Sequence, residues 1–380
     1  MKKDFTKSFA RKAVLSLLII AFIIPQTACM SNGQNADANQ GVSKTGFFLD
    51  TVCSITIYGL ADEDGRLADM SYEELEKECY LIITDAFKLC SEYENMLSKT
   101  IETSDIARIN NAGGNAVTVS DETVEVLKKG MEFGGLSDGV FDITIGKATD
   151  LWDFHDNLET GHEGGTVPSE KDLKEAISHV NYKNIKIEGN RVSLIDPETE
   201  INLGGIAKGY IADKATEYLK GRGVVSAIVD LGGNIVALGG KPPQIVVSAD
   251  AGDTADEQTE FKVGIKDPTA DDGSLLGIVT CKNKTVVTSG TYERYFEKDG
   301  VKYHHILDVN TGYPVDTDVL SVTIIADRGN SADCDGLSTT CLALGTDKGM
   351  KLVKSLEGFD AVFVDTDGNV EVTSDSIKLN

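Results

Sequence analysis

The sequence predicts an α+β fold, with helices packed on mixed sheets in one globular unit of two lobes. Segments with helical spacing of apolar residues alternate with strand-like segments through the first two thirds of the chain. The last third is rich in strands, a mixture that is typical of α+β proteins. The chain has 380 residues, which is long enough to bury a large core without disulfide bonds.

The first residues carry a pattern that is typical of exported proteins. Lysine and arginine are in excess in MKKDFTKSFARK, the apolar run AVLSLLIIAFII follows, and PQTAC places small residues before Cys29. The apolar run has about twelve residues, whereas a permanent membrane-spanning helix needs roughly 20. Residues 1–28 are therefore predicted to be a signal peptide.

A cysteine at the cleavage point favours a lipoprotein in which Cys29 carries the lipid. Residues 29–45 would then be the anchored cysteine and a flexible polar tether, and residues 46–380 the functional domain. This predicts an extracytoplasmic protein anchored to the cell membrane. The alternative is an ordinary secretory signal with an incidental cysteine.

Charge and cysteine content narrow the class of protein further. A formal net charge of -25 would repel the phosphate backbone of a nucleic acid, so no nucleic-acid partner is expected. Six cysteines follow Cys29 without any CxxC spacing, and most lie in apolar runs, so we expect buried free thiols.

The first half of the domain shows both periodicities in turn. FFLDTVCSITIYG (47–59) alternates and predicts an opening strand. Residues 71–97 predict a long amphipathic helix, with a capping box between Ser71 and Glu74. A strand in GNAVTVS and a helix that starts at DETVEVL follow, and SEKDLKEAISHV predicts another helix.

A β-helix-β rhythm leads into the strand-rich part. The strands RVSLID and INL, a helix that begins near Ile206 and the strand VVSAIVDLGG are predicted first. Helices are expected from Ser331 to about Leu344 and from Asp347 to Leu356, and AVFVDTDGNVEVTS predicts a closing hairpin. Further strands are predicted in NIVALGG, PQIVVSA, FKVGIKD, LGIVTCK, KTVVTSG, VKYHHILD and VLSVTIIAD.

Two glycine-dense turns are candidates for ligand contact. In INLGGIAKGY, Gly204 and Gly205 allow close backbone approach at a helix start, where free amides favour an anion. A bound phosphate would offset the unfavourable position of Lys208 in the first turn. DLGGNIVALGG (230–240) has a second Gly-Gly turn, which would face the same sheet edge. An ordinary tight turn and an ordinary hairpin with a bulge are the alternatives.

Oxygen and imidazole groups appear in two later segments. In SADCDGLSTT, Asp335 and Thr339 lie at i and i+4 of a helix, where they could bind Mg²⁺, whereas Asp333 points elsewhere. The alternative is that these residues cap the helix. YHHILD supplies His304 and His305, of which only one can face a site from a strand, and a base near neutral pH is expected there.

Seven segments in this order closely resemble the FAD:protein FMN transferase family, the ApbE-type flavin transferases. The resemblance runs from about Phe47 to the C-terminus. Its segments are TSDIARIN (103–110), GVFDITIG (139–146), INLGGIAKGYIADK (201–214), DLGGNI (230–235), VVTSGTYERYF (286–296), YHHILDVNTGYPV (303–315) and CDGLSTTCLALG (334–345).

The resemblance implies that FAD lies in a cleft between two lobes with its pyrophosphate on Mg²⁺. His305 matches the second histidine of the family's HHI motif and would be the catalytic base, and Asn202 replaces an aspartate and would contact adenosine. The Mg²⁺ ligands would be Ala207 through its carbonyl, Asp335 and Thr339, and the flavin-adenine site would contain Val140, Phe141, Asp142, Lys208, Gly232 and Gly233, with Thr288 and Ser289 as further candidates.

The activity implied by the resemblance is transfer of FMN from FAD to a serine or threonine hydroxyl of a membrane redox protein, with release of AMP. The acceptors of the family carry a short Asp-Gly-x-Ser/Thr pattern. Two alternatives stay open on the sequence: a Mg²⁺-dependent FAD pyrophosphatase that yields FMN and AMP, and a non-enzymatic flavin-binding lipoprotein.

Overall fold

The structure, a computed structural model, describes part of the chain, and this part lies within one compact unit, Asn39–Asn380. The predicted signal peptide (1–28) and lipid-modified Cys29 lie outside the described residues. Within the described part, no helix has the length and apolar character needed to cross a membrane. The described residues are 41–62, 65, 67, 69–152, 154, 165–242, 246–248, 258–270, 272–375, 377 and 379.

A nine-stranded sheet forms the centre of the fold. Its strands follow the order β1-β2-β6-β7-β11-β14-β15-β16, and β8 pairs with β2 in the only parallel pairing among the described strands of this sheet. The strands are β1 (Val42–Phe48), β2 (Thr51–Ala61), β6 (Val224–Leu231), β7 (Asn234–Leu238), β8 (Val246–Ser248), β11 (Lys284–Gly290), β14 (Val319–Asp327), β15 (Phe359–Asp365) and β16 (Val370–Val372).

Three small antiparallel sheets surround the central sheet. In the described residues they follow the orders β3-β5-β4, β10-β9 and β12-β13. Their strands are β3 (Val117–Thr118), β4 (Ile185–Glu188), β5 (Arg191–Leu194), β9 (Phe261–Lys266), β10 (Leu275–Cys281), β12 (Tyr295–Lys298) and β13 (Val301–His304).

Helices complete the α+β fold, which confirms the predicted fold class. The predicted capping box at the start of α1 is present, because Ser71 Oγ accepts from Glu74 N at 3.3 Å and Glu74 Oε2 accepts from Ser71 N at 2.8 Å. The helices are α1 (Tyr72–Leu97), α2 (Asp105–Asn110), α3 (Asp121–Leu136), α4 (Gly146–Asp150), α5 (Glu170–Ile177), α6 (Ala207–Gly221), α7 (Ser331–Leu344) and α8 (Thr346–Lys354).

Apolar side chains from both faces of the central sheet are buried. Helices α1, α6 and α7 contribute to the largest cluster, whereas the β9-β10 hairpin packs in a second cluster with outer-face residues of the sheet. Six cysteines of the described part are buried free thiols, as predicted. Helices α6 and α7 pack against each other, α6 against β6 and β7, and α7 against β11 and β14, so the core positions the loops described below.

Three local predictions were wrong or incomplete. The opening strand is a hairpin of β1 and β2, turned at Leu49 and Asp50 with φ of 55° and 56°. β1 begins at Val42, so residues 42–45, predicted as tether, belong to the sheet. Residues 201–203 form no strand, because the Asn110 side chain pairs with both Ile201 N (2.8 Å) and Ile201 O (2.9 Å).

Candidate active site

A cavity of about 830 Å³ opens between the glycine-rich turns, the start of α6 and the β12-β13 region. It has the size of sites that hold cofactor-sized ligands. Asp335 is buried beside its wall and reaches it through Lys208. Every other predicted site residue lines the cavity: Val140, Phe141, Asp142, Asn202, Ala207, Lys208, Gly232, Gly233, Thr288, Ser289, His305 and Thr339.

Helices α6 and α7 hold each other's N-terminal ends. Asp335 Oδ2 of α7 accepts from Gly209 N of α6 at 3.0 Å, and the Asp213 carboxylate of α6 accepts from Ser331 N and Ala332 N of α7, both at 3.1 Å. Neither Asp333 nor Asp335 caps its own helix, since α7 has no side-chain cap from its N-cap residue. The capping alternative therefore holds in part: Asp335 caps a helix N-terminus, but that of α6 and not that of its own helix.

The two helices also touch at one glycine. A Cβ built on Gly209 would lie 2.1 Å from Ser331 O, so a larger residue could not pack there. This contact brings the Asp335 carboxylate to the first turn of α6. Asp333 points away from it and pairs with Lys129 at 2.6 Å, as the helical spacing predicted.

Lys208 compensates for its unfavourable position through Asp335. Its Nζ lies 3.4 Å from Asp335 Oδ1 and donates to Gly204 O at 3.2 Å. A carboxylate beside the helix N-terminus stabilises both the free amides and the lysine charge. About a quarter of the Lys208 side chain is exposed, and its contact to Asp335 is long. Its ammonium group can therefore also contact an anion in the cavity.

Hydroxyl oxygens lie close together at Thr339, one of the predicted metal ligands. Ser289 Oγ lies 3.2 Å from Thr339 Oγ1 and 2.8 Å from Ser338 Oγ. A Cβ on Gly205 would meet Phe141 at 3.0 Å and Thr339 at 3.7 Å, so the glycine turn passes close to the threonine. Carboxylate, hydroxyl and carbonyl oxygens suit a hard cation such as Mg²⁺, which takes its remaining ligands from water and substrate.

Described residues form no group of three or more His, Cys, Asp or Glu side chains that could hold a metal ion by themselves. The predicted set of Ala207, Asp335 and Thr339 contains one carboxylate. Such a sparse set fits Mg²⁺ bound together with substrate phosphates, and it does not fit zinc, which prefers nitrogen and sulfur ligands.

Asp142 belongs to the wall of the cavity but its carboxylate is already engaged. Oδ1 accepts from Thr144 N at 2.8 Å and Thr144 Oγ1 at 2.6 Å, and Oδ2 accepts from Tyr182 N at 2.8 Å. Burial raises its pKa, although these hydrogen bonds oppose the rise. The geometry therefore gives Asp142 a role in holding the 140–144 turn.

Asn202 is engaged in a similar way. Its Nδ2 donates to Thr149 Oγ1 at 3.0 Å and its Oδ1 accepts from Gly204 N at 2.9 Å. The amide group thus fixes the entrance to the glycine turn. The implied contact with adenosine would have to use the remaining donor or acceptor positions of this amide.

The second glycine turn, between β6 and β7, forms the opposite part of the wall. Gly232 and Gly233 have φ of 64° and 89°, which favours glycine, and a Cβ on Gly232 would lie 2.3 Å from Thr51. Thr288 N donates to Gly233 O at 3.3 Å, which ties β11 to the turn. Both glycine turns line one cavity, although residues 201–203 form no strand and only the second turn belongs to the sheet.

His305 follows directly after β13, which ends at His304. Its Nδ1 lies 3.2 Å from the Arg294 carbonyl, which can only accept, so Nδ1 carries the proton and Nε2 keeps its lone pair. Burial, reinforced by the Arg294 charge, lowers the pKa of His305 to about 3. The ring is therefore neutral at physiological pH.

His304 is a different kind of histidine. It is buried, and burial lowers its pKa to about 4. Its Nδ1 has no hydrogen-bond partner among the residues that the structure describes. Of the two adjacent histidines, His305 alone lines the cavity, in agreement with the prediction that only one can face a site.

The family model described as the ApbE family matches residues 49–363. The chain belongs to the ApbE family. The resemblance inferred from the seven segments is thus confirmed, and the chain is a transferase.

Relatives with curated names and solved structures agree with this ApbE assignment. The FAD:protein FMN transferase of Treponema pallidum (strain Nichols) is 33% identical over 340 residues, covering 87% of this chain and 86% of the relative. That of Klebsiella pneumoniae (strain 342) is 34% identical over 291 residues, covering 76% and 83%. The ApbE protein of Thermotoga maritima superposes with a TM-score of 0.71 at 31% identity, covering 87% and 96%.

Two charged residues of this ApbE site were missed on the sequence. Glu293 and Arg294 line the cavity beside His305, in the segment from which only Thr288 and Ser289 were selected. Desolvation raises the pKa of Glu293 to about 7, although the charge of Lys208 opposes the rise. Arg294 Nη2 donates to the carbonyl oxygen of Asp50, which lies in the β1-β2 turn, at 3.4 Å. The sequence feature that could have indicated them is the pair of adjacent charged residues in TYERYF.

Proposed function

We propose that the protein is a Mg²⁺-dependent FAD:protein FMN transferase. It would attach FMN from FAD to a serine or threonine hydroxyl of another protein and release AMP. The observation that carries the proposal is that one cavity joins both glycine turns, Lys208, Thr339 and His305. The curated relatives named above, which share the family over most of their length, support the same reaction.

The reaction breaks the phosphoanhydride bond of FAD and forms a phosphodiester to the acceptor. The acceptor hydroxyl oxygen forms a bond to the phosphorus on the FMN side of the pyrophosphate, and the bond from that phosphorus to the bridging oxygen breaks. AMP leaves with the bridging oxygen, and the hydroxyl proton goes to a base. Positioning and charge stabilisation supply most of the catalysis in such phosphoryl transfers.

Asp335, Thr339 and the Ala207 carbonyl would hold Mg²⁺, which when bound offsets the negative charge of the pyrophosphate. Lys208 would stabilise the same charge from the first turn of α6, where its ammonium group is anchored on Gly204 O. The free amides of the helix start add to this stabilisation. Asn202 and the Gly232-Gly233 turn would keep the substrate between the two walls.

His305 would take the proton of the acceptor hydroxyl at Nε2. The hydrogen bond from Nδ1 to Arg294 O fixes the tautomer that this role needs. A pKa of about 3 makes the neutral ring a weak base in its ground state. Proton transfer would therefore accompany bond formation to phosphorus, when the hydroxyl becomes acidic.

The acceptor would be a membrane redox protein with an Asp-Gly-x-Ser/Thr segment. Export through the signal peptide and lipidation at Cys29 would hold the enzyme at the outer side of the cell membrane, within reach of such a partner. The pattern MKKDFTKSFARKAVLSLLIIAFIIPQTAC supports this location.

The test is to incubate the purified protein with FAD, Mg²⁺ and candidate acceptors from its own membrane, and to separate the products under denaturing conditions. Fluorescence of flavin that stays on an acceptor supports the transferase. Free FMN and AMP without any labelled acceptor would instead identify a pyrophosphatase, and unchanged FAD would leave only flavin binding.

A further inference from the structure

Strand β9 presents its backbone edge to the active-site cavity. The consecutive residues 263–266 all line the cavity. Since neighbouring side chains of a strand point to opposite faces, a cavity that contacts consecutive residues runs along the strand's edge. In the described part of the chain β9 pairs only with β10, so its other edge carries free backbone donors and acceptors.

A groove of about 430 Å³ continues along the same edge away from the cavity. Its wall is formed by residues 259–264, again consecutive in the chain. The groove and the cavity share Ile235, Val263 and Gly264. Together they follow residues 259–266. The backbone of Thr259 is already paired with Lys241 (2.7 and 2.9 Å), so the open edge is that of β9, roughly 20 Å of extended chain.

The floor of this groove is an apolar part of the central sheet. Tyr58, Ile228 and Ile235 lie on the outer face of β2, β6 and β7, where they are partly buried against the second apolar cluster. The Tyr58 ring lies 5.3 Å from the Phe261 ring, which closes the floor against β9. An extended chain placed here could bury every second side chain on this floor.

The rim of the groove is basic, although the whole chain has a net charge of -25. Lys241 and Lys262 line the groove, and Lys266 lines the adjoining part of the cavity. Lys241 lies over the Tyr58 ring at 5.7 Å and Lys266 over the Tyr292 ring at 5.1 Å. These three lysines form no ion pair with a described residue, and Glu260 is the acidic residue among the groove's described lining.

We propose that the acceptor protein docks as an added β-strand on the free edge of β9. An extended acidic segment of the acceptor would pair its backbone with β9, lay apolar side chains on Tyr58 and Ile235, and place carboxylates beside the three lysines. This strand would lead the acceptor hydroxyl into the cavity, because the groove and the cavity are continuous. The inference rests on the proposed function and adds the mode of acceptor recognition.

Charge reversal on the rim provides the first test. The probe is a synthetic peptide with an Asp-Gly-Ala-Thr core and an acidic, alternating flank of about eight residues, made with the flank on either side of the core. In the full-length protein, Lys262→Glu should raise the KM for this peptide about ten-fold, with kcat and the FAD dissociation constant unchanged. Lys186→Glu, an exposed strand lysine in β4, is the matched control and should change neither value.

The added strand itself is tested with backbone-methylated peptides. Each flank amide is N-methylated in turn, which removes one donor without changing charge. Strand addition predicts that labelling weakens at every second position, since alternate amides of the bound segment face β9. A charged tether without strand pairing would show no such alternation.

The outcomes separate this inference from the function. Equal KM values for wild type, Lys262→Glu and Lys186→Glu, or methylation effects without a period of two, would overturn the docking mode while transfer persists. A wild-type dimer that Lys262→Glu dissociates, with unchanged peptide labelling, would assign the groove to a second copy instead. If the protein binds and cleaves FAD but no flavin is attached to the peptide, both the transferase function and the docking mode are overturned.

Discussion

Asp142 lines the cavity and Asp335 is buried behind its wall, and the surroundings of the two aspartates differ. Both are buried aspartates, and the family resemblance assigns one to the flavin site and the other to the metal. Asp142 accepts from two backbone amides and a hydroxyl of its own wall. Asp335 accepts from one amide and a distant lysine.

The difference indicates how one residue type serves two purposes. A carboxylate whose oxygens are filled by local amides holds a turn in shape and has little left for a ligand. A carboxylate with one long contact to a cation keeps capacity for another. We therefore expect loss of Asp142 to affect mainly the free energy of unfolding, and loss of Asp335 to affect mainly the rate of transfer.

The largest expected effect comes from Asp335→Asn. The amide oxygen can still accept from Gly209 N and Lys208 is partly exposed, so the free energy of unfolding should change by no more than about 1.5 kcal/mol. The missing charge should lower kcat for FMN transfer on the order of 100- to 1,000-fold. Transfer kinetics and thermal unfolding on the same samples give both values. A variant that keeps its rate but melts much earlier would reverse the comparison.

His305→Ala should lower kcat by about 100-fold or more, because the base within the cavity is lost. The affinity for FAD should change little, and flavin fluorescence titration provides that control. His304→Gln, the neighbouring buried histidine, should retain transfer at a temperature where it is folded. Full transfer by His305→Ala would remove this residue from the mechanism.

Asp142→Ala should lower the free energy of unfolding by roughly 2–4 kcal/mol, because Thr144 N and Tyr182 N lose their buried acceptor. Urea unfolding measures this loss. At 20 °C the transfer rate of Asp142→Ala should fall less, relative to wild type, than the transfer rate of Asp335→Asn. Asp142→Asn, which keeps an acceptor, should recover part of the stability, and equal losses in the two variants would argue against the hydrogen-bond explanation.

A smaller effect concerns the pH dependence of stability. The pKa of His304 is lowered to about 4 in the folded protein, so the unfolded chain binds a proton first as the pH falls below its ordinary value of 6.5. The contribution of His304 to stability should therefore decrease between pH 6.5 and 4. His304→Gln should reduce this slope by up to one proton, about 1.4 kcal/mol per pH unit. Parallel slopes in urea titrations of both proteins would contradict this.

Local periodicity predicted the helices well. The capping box of α1 and the bounds of α7 follow from residues close together in the chain. The prediction of a strand at residues 201–203 was wrong, because the side chain of Asn110 forms hydrogen bonds with the backbone of Ile201. Asn110 is distant in sequence, so no local pattern indicates this contact. The sequence also predicted one strand where the structure has the β1-β2 hairpin. Leu49 and Asp50 form its turn in a conformation that is uncommon for such residues, so the local pattern did not indicate a turn.

The site residues came from motifs, but their roles depend on contacts between distant segments. The i, i+4 spacing separated Asp333 from Asp335 correctly, and the structure brings twelve of the predicted positions to one cavity. The engagement of Asp142 with Tyr182 and the mutual capping of α6 and α7 join residues far apart in sequence. Spacing within one segment cannot predict them.

The ratio of AMP released to FMN bound covalently tests the central claim most directly. Wild-type protein, FAD, Mg²⁺ and a labelled acceptor are sampled over time, with AMP measured by chromatography and the acceptor by mass spectrometry. We predict one AMP for each FMN on the acceptor, with both signals lost together in Asp335→Asn. AMP that accumulates with an equal amount of free FMN, while the acceptor mass stays unchanged, would contradict the account.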